Sequence, residues 1–282
     1  MIEGRPSRTA MRVAMLRAAH QFMDTPKIFD DPLALRIIGA EAAATLRAEQ
    51  SEESDAASRA MRAFLCARSR FAEDELAQAV KRGVRLYVVL GAGLDTFAYR
   101  NPHAGVRVFE VDFPATQMWK QKKLRAAEIA VPETLTFAPV DFEKQTLAEG
   151  LLQAGFRAGE PAFFAWLGVT PYLNRETVLS TFRTMISLSP QNGVAFDYAV
   201  PRASLDAASQ IAFDLLAGRV AAAGEPFVGF FSPEELAQEL RAMGYHHIED
   251  FGREEIEARY FTDRQDGLRI GRKLARLMCA RG

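Results

Sequence analysis

An apolar run, Leu86-Tyr87-Val88-Val89-Leu90, breaks into Gly91-Ala92-Gly93-Leu94-Asp95-Thr96, and a second run, Val108-Phe109-Glu110-Val111-Asp112, then ends in an acid. A short apolar run bounded by glycine reads as a buried strand. Two such strands about twenty residues apart predict neighbours in a parallel sheet with an open carboxyl edge. Glycines after the first strand let backbone approach a polar or anionic ligand, and an acid at the tip of the second can accept two hydrogen bonds from a ribose diol. The pair therefore predicts a nucleoside-cofactor site at that edge.

A dinucleotide fingerprint places a third glycine three positions after the second, so that a helix packs close beneath the pyrophosphate. Here that position is Thr96. A cofactor without a pyrophosphate fits better, and S-adenosylmethionine is the common adenosine ligand of that kind. Two other readings share the same residues: a nicotinamide-dependent oxidoreductase, and a non-catalytic protein that binds S-adenosylmethionine.

The pattern on either side sets the architecture. Before Gly83 no good strand is found; apolar residues recur at helical spacing over 9–23, in a short segment ending at Ile38 and Gly39, and over 58–81, with an Ala/Glu-rich surface helix and loop over 41–55. After it, strands are expected at 85–90, 106–111, 135–140, 162–167, 194–198, 245–251 and 275–279, alternating with helices at 114–129, 142–154, 175–188, 204–222 and 232–243. This alternation predicts an α/β protein: a Rossmann-like, seven-stranded, mostly parallel sheet of the methyltransferase type whose last strand is antiparallel. Residues 1–83 form a helical cap and residues 84–282 the catalytic domain, integrated into one unit.

Composition narrows the partners. A net charge of −1 over 282 residues argues against nucleic acid, which needs a basic surplus to neutralise phosphates. Cys66 and Cys279 have no metal-ligand spacing and are too few for a disulfide framework, so buried free thiols in a reducing cytoplasm are expected. No apolar run approaches the roughly 20 residues that span a bilayer, and no signal-peptide segment is evident. No metal is expected, and oligomeric state is not readable.

Strand ends supply the candidate ligand contacts: Gly91, Gly93, Asp112, then Asp141 and Phe142 after strand three, where a carboxylate can accept from an adenine amine and a ring can pack on the base. Asp141 could instead cap the next helix, and Asp112 the helix that starts at Pro114. Glu110 shares a strand face with Asp112 and is a weaker candidate. Methyl transfer needs few catalytic groups, because it mainly requires alignment and exclusion of water. For an acceptor that benefits from a base, His20, Asp30, Asp31 and Tyr172 are candidates, with His20 and Tyr172 foremost. The run Phe227-Val228-Gly229-Phe230-Phe231 suggests either a hydrophobic acceptor wall or a core contact.

Several segments together resemble the leucine carboxyl methyltransferase family, in its bacterial branch of S-adenosylmethionine-dependent O-methyltransferases. They are Arg17-Ala18-Ala19-His20, Ile28-Phe29-Asp30-Asp31-Pro32-Leu33-Ala34, Ala67-Arg68-Ser69-Arg70, the segment 89–96, Phe109-Glu110-Val111-Asp112-Phe113-Pro114, Val140-Asp141-Phe142 and Gly168-Val169-Thr170-Pro171-Tyr172-Leu173. The resemblance spans nearly the whole chain. It implies a methyltransferase acting on a carboxyl or hydroxyl oxygen of a small molecule or of a protein C-terminal carboxylate. It also implies a cofactor site made of Arg68, Gly91, Asp112, Asp141 and Phe142. A guanidinium at 68 can pair bidentately with the methionyl carboxylate, a role for which Arg70 competes. One departure stands out: family members carry a Glu just before the glycine equivalent to Gly168, whereas this chain has Leu167 after Trp166. Backbone carbonyls near Leu90 and Gly91, or the face of Trp166, would then have to serve the methionyl ammonium.

Overall fold

The computed structural model describes residues 8–48, 55–142, 144–222 and 224–282. Seven strands form one sheet: β1 (Leu86–Leu90), β2 (Arg107–Asp112), β3 (Leu135–Pro139), β4 (Ala162–Trp166), β5 (Gly193–Ala199), β6 (His247–Phe251) and β7 (Ala275–Arg281). Their order is β3-β2-β1-β4-β5-β7-β6, and β7 runs antiparallel to both its neighbours while the β1–β2, β1–β4, β2–β3 and β4–β5 pairs are parallel. The expected mixed sheet is thus present. Strand order reverses between β1 and β4, and their carboxyl ends open the crevice in which such sheets bind ligands.

β1 is buried at every position because helices cover both faces of the sheet. Its alternate residues divide between two cores, Leu86, Val88 and Leu90 on one face, Tyr87 and Val89 on the other. The first face packs on α6 (Leu147–Gln153), α7 (Arg175–Leu188) and α9 (Pro233–Ala242) through Leu151, Phe182 and Leu240. The second packs on α4 (Ala56–Lys81) and α10 (Arg253–Tyr260) through Ala67, Phe71, Leu76 and Ile256. Asp55 starts α4 by accepting from the Ser58 N–H at 2.8 Å, and Gly83, at φ +99°, lets the chain turn back into β1.

A third apolar cluster joins α1 (Arg8–Met23), α2 (Ala34–Ile38), α3 (Ala40–Ala48) and α5 (Pro114–Ala126), with Leu94 of the glycine loop inside it. The cap is therefore α1–α3. Although it lies before Gly83, α4 is part of the sheet's own covering layer, so a cut at 83 would pass through a continuous core.

Several elements differ from expectation, among them α5, which ends at Ala126 rather than 129, and β6, which begins at His247 rather than 245. The helix predicted over 142–154 begins only at Leu147, where Thr146 and Glu149 form a capping box. α8 spans Ala207–Ala222, starting three positions later than the periodicity suggests. α10 has no counterpart among the predicted helices: it is highly charged and buries only Ile256, which leaves no periodic signal to read. Part of the segment 41–55 falls outside the described residues. Cys66 and Cys279 are buried free thiols, as expected.

Candidate active site

The turn after β1 is held from below by the end of β2. The N–H groups of Gly91 and Ala92 donate to the carbonyl of Val111 at 2.9 and 3.1 Å, and that of Gly93 donates to Asp112 Oδ2 at 2.6 Å. Asp112 Oδ1 accepts from the Phe113 N–H at 2.7 Å. Burial raises the Asp112 carboxyl above the usual carboxylate range, while these two backbone donors pull it back. Each carboxylate oxygen has a second lone pair, so the clamp leaves acceptor capacity for a diol. Asp112 is not the cap of α5, whose first turn is preceded by Phe113 with no side-chain cap.

Gly91 and Gly93 lie at φ +67° and +44°, conformations that favour glycine. A Cβ on Gly91 would come within 2.4 Å of Val169 Cγ2. The loop therefore passes close against the segment after β4, leaving backbone rather than side chains facing the crevice. Beyond Gly93 the chain makes a single turn, Phe97–Tyr99, and no α-helix stands between β1 and β2. A pyrophosphate would lack the helix N-terminus that holds it in dinucleotide folds, which removes the basis for the nicotinamide reading. Thr96 is fully buried, and its hydroxyl donates to Asp31 Oδ2 at 2.7 Å.

Arg68, on α4, lies across Gly168; a Cβ there would meet Nη1 and Nη2 at 2.9 and 3.0 Å. Its Nη1 donates to Asp197 Oδ2 at 2.9 Å, while its Nε is buried without a hydrogen-bond partner. A buried guanidinium with an orphaned N–H fits a carboxylate-bearing ligand. Arg70, the competitor, is half-exposed and paired with Asp74 on its own helix. At the edge of the sheet, Phe142 is 63% exposed, a ring free to stack on a base. Asp141 meets Lys144 at 2.9 Å, and Thr146, not Asp141, caps α6. Gly91, Gly93, Asp112, Asp141 and Phe142 thus lie at or just after the carboxyl ends of β1, β2 and β3, and Arg68 of α4 reaches across Gly168 after β4.

Other expectations need correction. His20 is fully buried; its Nδ1 faces Asp24 Oδ2 at 2.7 Å and its Nε2 accepts from the Ile28 N–H at 2.9 Å. Asp24 in turn receives Nε and Nη2 of Arg62. Both ring nitrogens are consumed in folding the turn after α1, so neither reaches an acceptor. Asp31 is likewise buried, between Arg17, Thr96 and Arg100, where it ties the cap to the glycine loop; Asp30 is exposed against Lys27. Glu110 is fully buried against Lys120 Nζ at 2.7 Å and faces no ligand; burial pushes its carboxyl up to about 7. Trp166 is core, edge-on to Phe182 at 5.3 Å, and offers no cation–π face.

Tyr172 does stand at the mouth. Its ring lies 5.3 Å from that of Phe227, and Phe213 and Phe230 extend the same aromatic wall. Burial raises the phenol above its ordinary range, so its hydroxyl stays protonated at neutral pH. Gly229 lets the wall lie flat on the 170–173 turn, since a Cβ there would come within 2.4 Å of two backbone carbonyls. Thr9, at the start of α1, hydrogen-bonds Glu225 and so closes the cap onto this wall.

Asp197 is the residue that sequence reasoning missed. The available signal was a lone carboxylate in the otherwise apolar run 193–200, where burial demands a partner. Two surface clefts, of 300 Å³ beside Arg175 and Glu239 and of 410 Å³ beside His103 and Pro132, touch none of Arg68, Gly91, Gly93, Asp112, Asp141, Phe142, Tyr172 and Asp197. Among the described residues there is no cluster that could hold a metal and no helix long and apolar enough to cross a membrane.

Comparison with known proteins gives the family and the fold. The sequence pattern of the family described as leucine carboxyl methyltransferase matches residues 10–186. YktD of Bacillus subtilis (strain 168), named as an S-adenosyl-L-methionine-dependent methyltransferase, is 31% identical over 95% of both chains. Among solved structures, a Thermobifida fusca YX protein titled as a methyltransferase superposes with a TM-score of 0.58 at 15% identity, covering 99% of this chain and 96% of that one. A magnesium protoporphyrin IX methyltransferase from Synechocystis PCC 6803, with bound SAH, gives 0.50 at 13% identity over 84% and 91%. At these identities the two structures share the fold.

Proposed function

This chain belongs to the leucine carboxyl methyltransferase family and is an S-adenosylmethionine-dependent methyltransferase, and from that premise we propose that it methylates a carboxylate oxygen of an apolar acceptor. The cofactor, when bound, supplies a methyl group already activated on a sulfonium sulfur. In this reading Asp112 accepts from the ribose hydroxyls, Arg68 pairs with the methionyl carboxylate, and the backbone of Gly91 and Gly93 bounds the crevice. Phe142 packs on the base, and Asp141 accepts from its amine.

The observation that carries the choice of acceptor is that neither His20 nor Tyr172, the foremost candidate bases, is available to take a proton. His20 has both nitrogens engaged and the Tyr172 phenol stays protonated. A hydroxyl acceptor would need its proton removed, whereas a carboxylate arrives ionised. The chain then has only to orient the oxygen and exclude water, which the wall of Tyr172, Phe213, Phe227 and Phe230 and the closure of α1 can do.

The test is production of S-adenosylhomocysteine from a panel of apolar carboxylic acids and phenols between pH 6 and 9. A carboxylate acceptor gives a rate nearly flat with pH and an alkali-labile product that releases methanol. Turnover confined to phenols and rising with their ionisation would refute the carboxylate reading and favour hydroxyl transfer.

A further inference from the structure

Asp197 sits on β5 beside the end of β4: Trp166 pairs with Phe196, so Leu167 and Asp197 are the next residues across the two strands. It is 3% exposed on a strand whose every position is buried. Its Oδ2 takes Nη1 of Arg68 at 2.9 Å, and its Oδ1 takes the Gly168 N–H at 2.5 Å. The Thr170 hydroxyl donates to its backbone carbonyl at 2.6 Å. One residue thus grips both the guanidinium and the turn after β4.

A buried ion pair is a poor stabilising device, because an apolar pair of similar volume usually does as well. This pair does provide direction. With Nη1 committed to Asp197, the remaining edge of the guanidinium is formed by Nε and Nη2, the fork that receives a carboxylate in two parallel bonds. Nε is buried and unbonded, and Nη2 makes no hydrogen bond to another described residue. We propose that Asp197 is a positioning residue that locks Arg68 with its Nε/Nη2 fork turned to the methionyl carboxylate. This rests on the Arg68 role proposed above.

The experiment is calorimetric titration of the full-length protein with two ligands. S-adenosylhomocysteine carries the amino-acid end, and 5′-methylthioadenosine is the same thioether nucleoside without it. Asp197→Asn keeps an acceptor for Gly168 but turns an amide donor or a neutral oxygen toward Arg68. Asp197→Glu keeps the charge but displaces the guanidinium, and a thermal melt of each variant without ligand checks that it is folded. Both variants should weaken S-adenosylhomocysteine at least tenfold and 5′-methylthioadenosine less than twofold. Arg68→Ala should do the same, and Asp197→Asn added to it should weaken binding no further, as expected of residues acting as a unit.

Equal losses for the two ligands would make Asp197 a support of the whole site and overturn the proposal. So would unchanged or tighter S-adenosylhomocysteine binding in the Asp197 variants while Arg68→Ala is weakened. If Arg68→Ala itself binds S-adenosylhomocysteine normally, the Arg68 assignment fails first, and that result is distinct from the other two.

Discussion

Replacing Asp112 with alanine removes two things at once, and the structure separates their sizes. Toward the ligand, a carboxylate accepting two ribose hydroxyls contributes charge-assisted bonds of about 1.5–3 kcal/mol each. Because its two oxygens already serve the Gly93 and Phe113 N–H groups, at 2.6 and 2.7 Å, part of that charge is spent on the loop. We therefore expect a loss of about 2–4 kcal/mol in binding, or roughly 30- to 1,000-fold in Kd. Toward the fold, those two N–H groups lose their acceptor at a partly buried position. The cost should be about 1–2 kcal/mol, a fall in Tm of roughly 2–6 °C for a chain of this size. Calorimetric titration with S-adenosylhomocysteine and a thermal melt without ligand measure the two effects separately. A lowered Tm with unchanged Kd would refute the ribose assignment and leave Asp112 as a clamp on the glycine loop.

Three further outcomes are expected. Gly91→Ala places a Cβ 2.4 Å from Val169 Cγ2 at φ +67°, so it should abolish cofactor binding and destabilise by about 1–3 kcal/mol; Val169→Ala added to it relieves the clash but not the dihedral, and full recovery of binding would show that backbone conformation is not limiting. His20→Asn should cost about 2–4 kcal/mol by breaking the buried contacts with Asp24 and Ile28, and the folded fraction should keep the wild-type pH–rate profile; loss of an ionisation near neutral pH would restore His20 to the chemistry. Glu110, raised from 4.5 to about 7 by burial, holds its proton more tightly folded than unfolded, so its contribution is full below the unfolded value and is lost as pH rises through about 7; urea midpoints measured from pH 4.5 to 8 should fall less steeply in Glu110→Gln, and identical slopes would contradict the shift.

The sheet, and the meeting of the glycine turn with Asp112 at its edge, were legible because each is written in contiguous residues. Apolar runs of strand length specify buried strands, the two glycines adopt dihedrals other residues resist, and the order of strands and helices restricts the crossovers. The same local character hid α10, whose charged helix buries a single side chain, while the capping box at Thr146 set the start of α6 at Leu147. The pairing of remote side chains is a different kind of information. His20 falls at a helix position that would suit a catalytic base equally well, and only packing against Asp24 and the turn at 28–29 consumes its nitrogens. Glu110 and Asp112 share a strand face, yet the first is fully buried against Lys120 of α5, whereas the second, partly exposed, is held by the Gly93 and Phe113 N–H groups. Arg68 and Arg70 differ by two positions on one helix, and the rotation between them sends one into the sheet and the other to solvent. Arg68 finds Asp197 from 129 positions away, a distance in sequence that no periodicity spans. Backbone propensity acts between neighbours and could be read directly; the direction of a buried charge depends on which remote partner repays its lost hydration, and that was decided only when the sheet closed around it.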